Sequence, residues 1–232
     1  MGFALLIIFM FVAFGLTTLF RRWIDIPTLI AVAIGCAVNA NIFNPTTYPI
    51  TVGPFVFSIE IILYTLFMYT IVVRVLDYGY KAAQKMALTS IAAIIISAII
   101  EFVALVSYEG FTEKSGKALA FYFLSSIGTI VGVWVMIVIA MNCRKKNVSS
   151  YIVIPLGIIA SGLIHSVIYY GGMALINWSI TDNALAMILG ALIGKAVCIG
   201  LSDFCYFINQ KWWMPLNLST HNEKEYEKII RK

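Results

Sequence analysis

Seven stretches of this chain run for roughly 18 to 28 residues with at most two Asp, Glu, Lys or Arg in each: 3–20, 26–43, 55–73, 86–108, 119–142, 151–176 and 183–210. About 20 apolar residues in a helix cross the hydrocarbon core of a bilayer. In lipid every backbone N–H and C=O must be satisfied within the chain, so helices rather than isolated strands are the expected form of these runs. The feature predicts an all-α, polytopic bundle of about seven spans, with residues 1–216 as one transmembrane domain and 217–232 as a polar cytoplasmic tail. Composition agrees: of 232 residues, 61% are hydrophobic and 12% charged, and the mean hydropathy is +0.94. A secreted disulfide scaffold, a nucleic-acid-binding domain and an ordinary cytosolic enzyme do not fit such runs, despite a net charge of +5.

Basic residues alternate between the connections. Thirteen of the 16 Lys and Arg fall on one side, at Arg21, Arg22, Arg74, Lys81, Lys85, Arg144, Lys145, Lys146, Lys211, Lys224, Lys228, Arg231 and Lys232. The other side has Lys114 and Lys117, and Lys195 lies within a span. By the positive-inside rule the N-terminus is outside and the C-terminus cytoplasmic, which needs an odd number of spans. The first apolar run has no basic residue before it and Phe20-Arg21-Arg22-Trp23 after it, so it reads as a retained helix rather than a cleaved signal. Trp212 and Trp213 beside Lys211 read as an interfacial anchor. The four cysteines, Cys36, Cys143, Cys198 and Cys205, have no metal-ligand spacing and read as free thiols.

Ionisable groups inside a membrane are costly unless paired or functional. Five stand out: Glu60 in the third span, Glu101 in the fourth, His165 in the sixth, and Lys195 and Asp203 in the seventh. Ser161, His165 and Tyr169 recur at i, i+4, i+8, and Lys195, Ser202 and Tyr206 at i, i+7, i+11, giving two polar stripes that face inward. Ser97 lies one turn before Glu101, Asn39 and Asn41 end the second span, and Ser125, Ser126 and Thr129 form a patch of ordinary interhelical glue. For Lys195 two readings stand open: neutralising an acid across a helix interface, or serving a ligand. His165 likewise is either a neutral core histidine or a site residue. Gly171-Gly172 and Pro155 permit bending of the sixth span, or the glycines permit close packing. No metalloprotease, hydrolase or nucleotide-binding motif occurs, so neither enzymatic activity nor a cofactor is expected.

Several stretches resemble the VUT family of queuosine-precursor transporters: Ala40-Asn41-Ile42, Tyr78-Gly79-Tyr80-Lys81-Ala82-Ala83, Ser161-Gly162-Leu163-Ile164-His165-Ser166, and Lys195 followed by Leu201-Ser202-Asp203-Phe204. The order and spacing agree over roughly residues 24–210. Family members tend to carry Asp in the Ser-Gln-x-x-Asp-Thr motif where this chain has His165, and Asp-Thr-Pro where it has Asp203-Phe204-Cys205. The resemblance implies a carrier in the bacterial cytoplasmic membrane that imports a 7-deazaguanine, with Asn41, His165, Lys195 and Asp203 in carried-over site positions. Together with the residue reading, the expected substrate site comprises Asn41, Glu60, Glu101, His165, Lys195 and Asp203, with proton coupling through His165 or a carboxylate. The expected partners are a small-molecule substrate and the lipid bilayer, with no nucleic acid. Self-association stays open, as do two other classes: a substrate-binding subunit that depends on separate ATPase and scaffold proteins, and a membrane scaffold without a ligand.

Overall fold

The computed structural model describes residues 59–110, 112–175 and 184–212, with the short stretches 33–36, 50–53 and 55–57 and the single positions 8, 12 and 38. Asn41, the first span, most of the second and the tail beyond 212 lie outside the described residues, as does the side chain of Trp212.

A two-stranded antiparallel hairpin, β1 (Ile50–Val52) and β2 (Phe55–Phe57), precedes five helices. These are α1 (Ile59–Tyr78), α2 (Tyr80–Glu109), α3 (Glu113–Lys145), α4 (Ser150–Leu175) and α5 (Ala184–Trp212). Apart from the hairpin the described fold is all-helical. The hairpin corrects the expected span at 55–73: residues 55–57 pair with 50–52, and the helix begins at Ile59 and continues to Tyr78. Val52 pairs with Phe55, and Gly53 after β1 takes φ 58°, where a side chain is disfavoured.

Among the described residues four helices are long and apolar enough to cross a membrane, over Ile59–Leu76, Ala83–Tyr108, Leu119–Lys145 and Ser150–Leu175. Helices α2 and α3, at 30 and 33 residues, extend about 45–50 Å, longer than the hydrocarbon core. Their surplus carries charge: Lys81 and Lys85 near the start of α2, Glu113 and Lys117 at the start of α3, Arg144 and Lys145 at its end. Arg144 Nη1 donates to Val75 O at 3.4 Å, which sets the C-terminal ends of α1 and α3 side by side. Tyr151 at the start of α4 meets Tyr206 near the end of α5, their ring centroids 5.8 Å apart. Short connections and these contacts make successive helices run up and down.

The centre of the bundle is α1, in which every residue from 60 to 76 is buried. A helix apolar on all faces requires neighbours on all sides, and α2, α3, α4 and α5 all pack against it. Its hydroxyls are satisfied locally, with Thr65 Oγ1 donating to Ile61 O and Thr70 Oγ1 to Leu66 O, both at 2.7 Å. Arg74, counted in the sequence as a loop cation, lies inside α1 and is buried. The opposite character appears on α2, where Ile95, Ile96, Ile99, Ile100 and Val103 are exposed. An apolar exterior around a core that contains polar groups is the arrangement a bilayer solvates.

The α3–α4 interface is the most extensive between helices, and glycines set its closeness. A Cβ at Gly132 would stand 2.7 Å from Ser161 Oγ and 3.0 Å from Ser161 O. One at Gly128 would stand 3.1 Å from His165 Cδ2 and 3.3 Å from His165 O. Gly128 and Gly132 are thus a small-xxx-small pair that seats the Ser161 and His165 turns of α4. Helix α4 runs unbroken through Gly171 and Gly172; a Cβ at Gly172 would meet Leu124 at 2.5 Å, so this glycine serves close packing.

Candidate functional site

Close packing of α3 on α4 directs the buried stripe of α4 (Ser161, His165, Ser166, Tyr169) toward α1 and α5. There Lys195 of α5, 6% exposed, donates from Nζ to Ser166 Oγ at 2.7 Å and to Gly162 O at 3.1 Å. The ammonium also stands 5.2 Å from the centroid of the Tyr64 ring of α1, in cation–π range. Gly162 makes room for this: a Cβ there would lie 3.0 Å from Lys195 Cδ. Two hydrogen bonds and an aromatic face together satisfy a buried cation without a carboxylate.

Tyr64 is the hub. Its hydroxyl lies 3.3 Å from Ser161 Oγ, and its ring centroid is 4.3 Å from that of His165. The His165 ring in turn stacks on Tyr169 at 5.7 Å and an interplanar angle of 17°. Phe121 of α3 meets Tyr169 edge-on at 5.2 Å, and Tyr170 does so at 4.8 Å. Ser161 Oγ is also 3.3 Å from Met68 Sδ. One turn before Tyr64, Glu60 is 9% exposed and interacts electrostatically with Lys195, Tyr64, Tyr169 and Tyr170. Among the described residues, Glu60 Oε2, His165 Nδ1 and the Tyr169 hydroxyl find no hydrogen-bond partner. Buried polar atoms of native proteins are rarely left so.

Of the six expected site residues, the fold brings three together: Glu60, His165 and Lys195 around Tyr64. No ion pair joins Lys195 to Glu60, Glu101 or Asp203; its hydrogen bonds go to oxygen atoms of α4 instead. Glu101 belongs to a separate seam between α2 and α3, where it accepts from Ser97 Oγ at 2.9 Å and interacts with Tyr122. Asp203 stands two turns beyond Lys195 on α5, only partly buried, with no partner for Oδ1 among the described residues. Asn41 lies outside the described residues. Of the inward stripes, Ser161, His165 and Tyr169 on α4 and Lys195, Ser202 and Tyr206 on α5 are all buried.

Sequence reasoning passed over Tyr64, although its i, i+4 spacing from Glu60 was a usable signal. It also passed over Ser166 as a lysine partner and the Gly128-x-x-x-Gly132 pair. Cys36, Cys143 and Cys198 are free thiols, and Cys205 lies outside the described side chains. Among the described residues no group of three His, Cys, Asp or Glu stands close enough to hold a metal ion. What remains is a cation, an acid and three neighbouring rings, His165 stacked on Tyr169 and tilted against Tyr64, in the helical core.

Comparison with known proteins returned nothing: no family model, no curated protein and no solved structure matches the chain.

Proposed function

We propose that this chain is a multi-pass transporter of the bacterial cytoplasmic membrane, with seven spans, the N-terminus outside and the C-terminus inside, that imports a small, polar, planar molecule. A 7-deazaguanine precursor of queuosine is the proposed substrate, on the VUT-like sequence stretches. The observation that carries the reading is the buried cluster of Lys195, Tyr64 and His165, with which Glu60 interacts while its Oε2 finds no partner among the described residues. A flat heterocycle inserted against Tyr64 and His165 replaces ring–ring contacts with ring–ligand contacts of similar strength. Its N–H groups find an acceptor in Glu60, and its acceptor atoms find Lys195. The cluster lies at the junction of α1, α4 and α5, so rearrangement of these helices around a bound molecule would change its access from one side to the other.

Purified protein in liposomes, with no other protein present, tests this with radiolabelled 7-deazaguanine. The expected result is saturable uptake that Lys195→Ala abolishes. Uptake no faster than in empty liposomes contradicts a self-contained carrier, and recovery on adding ATPase and scaffold subunits would assign the chain to a multi-subunit importer.

One observation favours a second reading. Lys195 is already satisfied by Ser166, Gly162 and Tyr64, as a structural lysine tying α5 to α4 and α1 would be. On that reading Lys195→Ala lowers the amount of folded protein and has no selective effect on ligand binding.

A further inference from the structure

Among the described residues four Asp, Glu, His, Lys or Arg side chains are buried: Glu60, Arg74, His165 and Lys195. Arg74 lies 14 positions along α1 from Glu60, about 21 Å away, and takes no part in the cluster. Lys195 and Glu60 are the basic and the acidic residue of the cluster, yet they do not form a contact pair. The lysine is held on α4 by Ser166 and Gly162 and capped by the Tyr64 ring, while Glu60 Oε2 finds no donor among the described residues. Among the described residues, the ionisable groups in electrostatic interaction with Glu60 are Tyr64 on its own helix, Tyr169 and Tyr170 from α4, and Lys195 from α5. It also stands in the first turn of α1, whose N-terminal end favours an anion. Burial with an unpartnered oxygen opposes that anion. Two opposing influences of this kind leave the charge to be decided by what enters the site.

Resting on the transport reading above, we propose that Glu60 is a proton-carrying residue of the substrate site, so that the protein exchanges one proton for one substrate. On this proposal Glu60 rests as a neutral acid while the site is empty. When the N–H donors of a substrate reach it, its O–H bond breaks, the proton passes to water on the open side, and the carboxylate accepts the substrate's hydrogen bonds. On the other side a proton from water returns to Glu60 and the substrate leaves. Proton and substrate therefore compete, and apparent affinity falls by up to about tenfold per unit of acidification in the coupled range. Uptake into liposomes runs faster with an acidic interior than with an acidic exterior.

Two measurements on the full chain test this separately from the transport reading. Infrared spectra at neutral pH should contain a protonated-carboxyl band that Glu60→Gln removes and Glu60→Asp shifts. If the wild type contains no such band, Glu60 is ionised at rest and the proposal is overturned whether or not any substrate binds. Calorimetry with 7-deazaguanine in buffers of different ionisation enthalpy should then give one proton released per molecule bound by the wild type and none by Glu60→Gln. Binding with equal proton release in both proteins overturns the exchange. If the band is present and neither protein binds 7-deazaguanine, the substrate assignment and the exchange both fall, and the protonated resting state of Glu60 stands.

Discussion

The close approach of α3 to α4 at Gly132 should be measurable. In Gly132→Ala the added methyl would lie 2.7 Å from Ser161 Oγ, 3.0 Å from Ser161 O and 3.1 Å from the Tyr64 hydroxyl. The carbonyl is backbone and cannot turn aside, so the helices must part by several tenths of an ångström or Ser161 and Tyr64 must move. Overpacking of this kind costs about 1–3 kcal/mol. Alanine also gains about 1 kcal/mol of helix propensity over glycine, so the clean comparison is Gly171→Ala, where nothing lies within 4 Å of the new methyl. The difference between the two variants isolates the clash. At about 2–4 °C per kcal/mol for a chain of this size, Gly132→Ala should melt about 2–12 °C below Gly171→Ala. Thermal melting of detergent-solubilised protein followed by size-exclusion chromatography reads this directly. Equal melting temperatures would refute the close α3–α4 contact, and with it the placement of Ser161 and His165 against α1.

Ser166→Ala removes the shorter of the two hydrogen bonds to Lys195 and should lower stability by about 1–3 kcal/mol, read from the same melting assay. At Tyr64 the ring should matter more than the hydroxyl: Tyr64→Phe loses only a 3.3 Å bond to Ser161, whereas Tyr64→Leu also loses the face under Lys195, worth about 0.5–2 kcal/mol. A melting series in which the two variants fall equally would contradict the cation–π contact. Beyond the apolar part of α3, the hydrogen bond and then the charge of Lys117, 2.6 Å away, hold Glu113 below its ordinary carboxylate range. Such a depressed acid stabilises above its unfolded pKa, and the contribution is lost as pH falls through the folded one. Glu113 is exposed, so Glu113→Gln should leave the melting temperature unchanged at pH 7 and ordinary salt.

The helical runs were legible because lipid permits little else, and α2 to α5 begin and end within about six residues of the stretches read from hydropathy. The hairpin was not legible in the same way. Phe55-Val56-Phe57 is as apolar as the start of a span, and periodicity cannot separate a short strand from a helix turn there. Gly53-Pro54 was the available warning. In the candidate site, Glu60, His165 and Lys195 announced themselves by charge in an apolar setting, whereas Tyr64 and Ser166 look like ordinary residues of apolar helices. One of the two open readings for Lys195 was pairing with an acid across a helix interface; its hydrogen bonds go instead to a backbone carbonyl and a hydroxyl, beside a ring, and none of these has a signature in a sequence. Glu101 shared the expected depth with Glu60 but sits on a different seam, because depth along a span says nothing about its rotation about the helix axis.

Import of a queuosine precursor through the Lys195 cluster is tested most directly in a bacterium that can neither make queuosine nor import its precursors. The chain is expressed there, a 7-deazaguanine precursor is supplied at low concentration, and queuosine in transfer RNA is measured. The account predicts that the wild type restores the modification and that Lys195→Ala, present in the membrane in equal amount, does not. A wild type that reaches the membrane and restores nothing would contradict the substrate, and full restoration by Lys195→Ala would contradict the site.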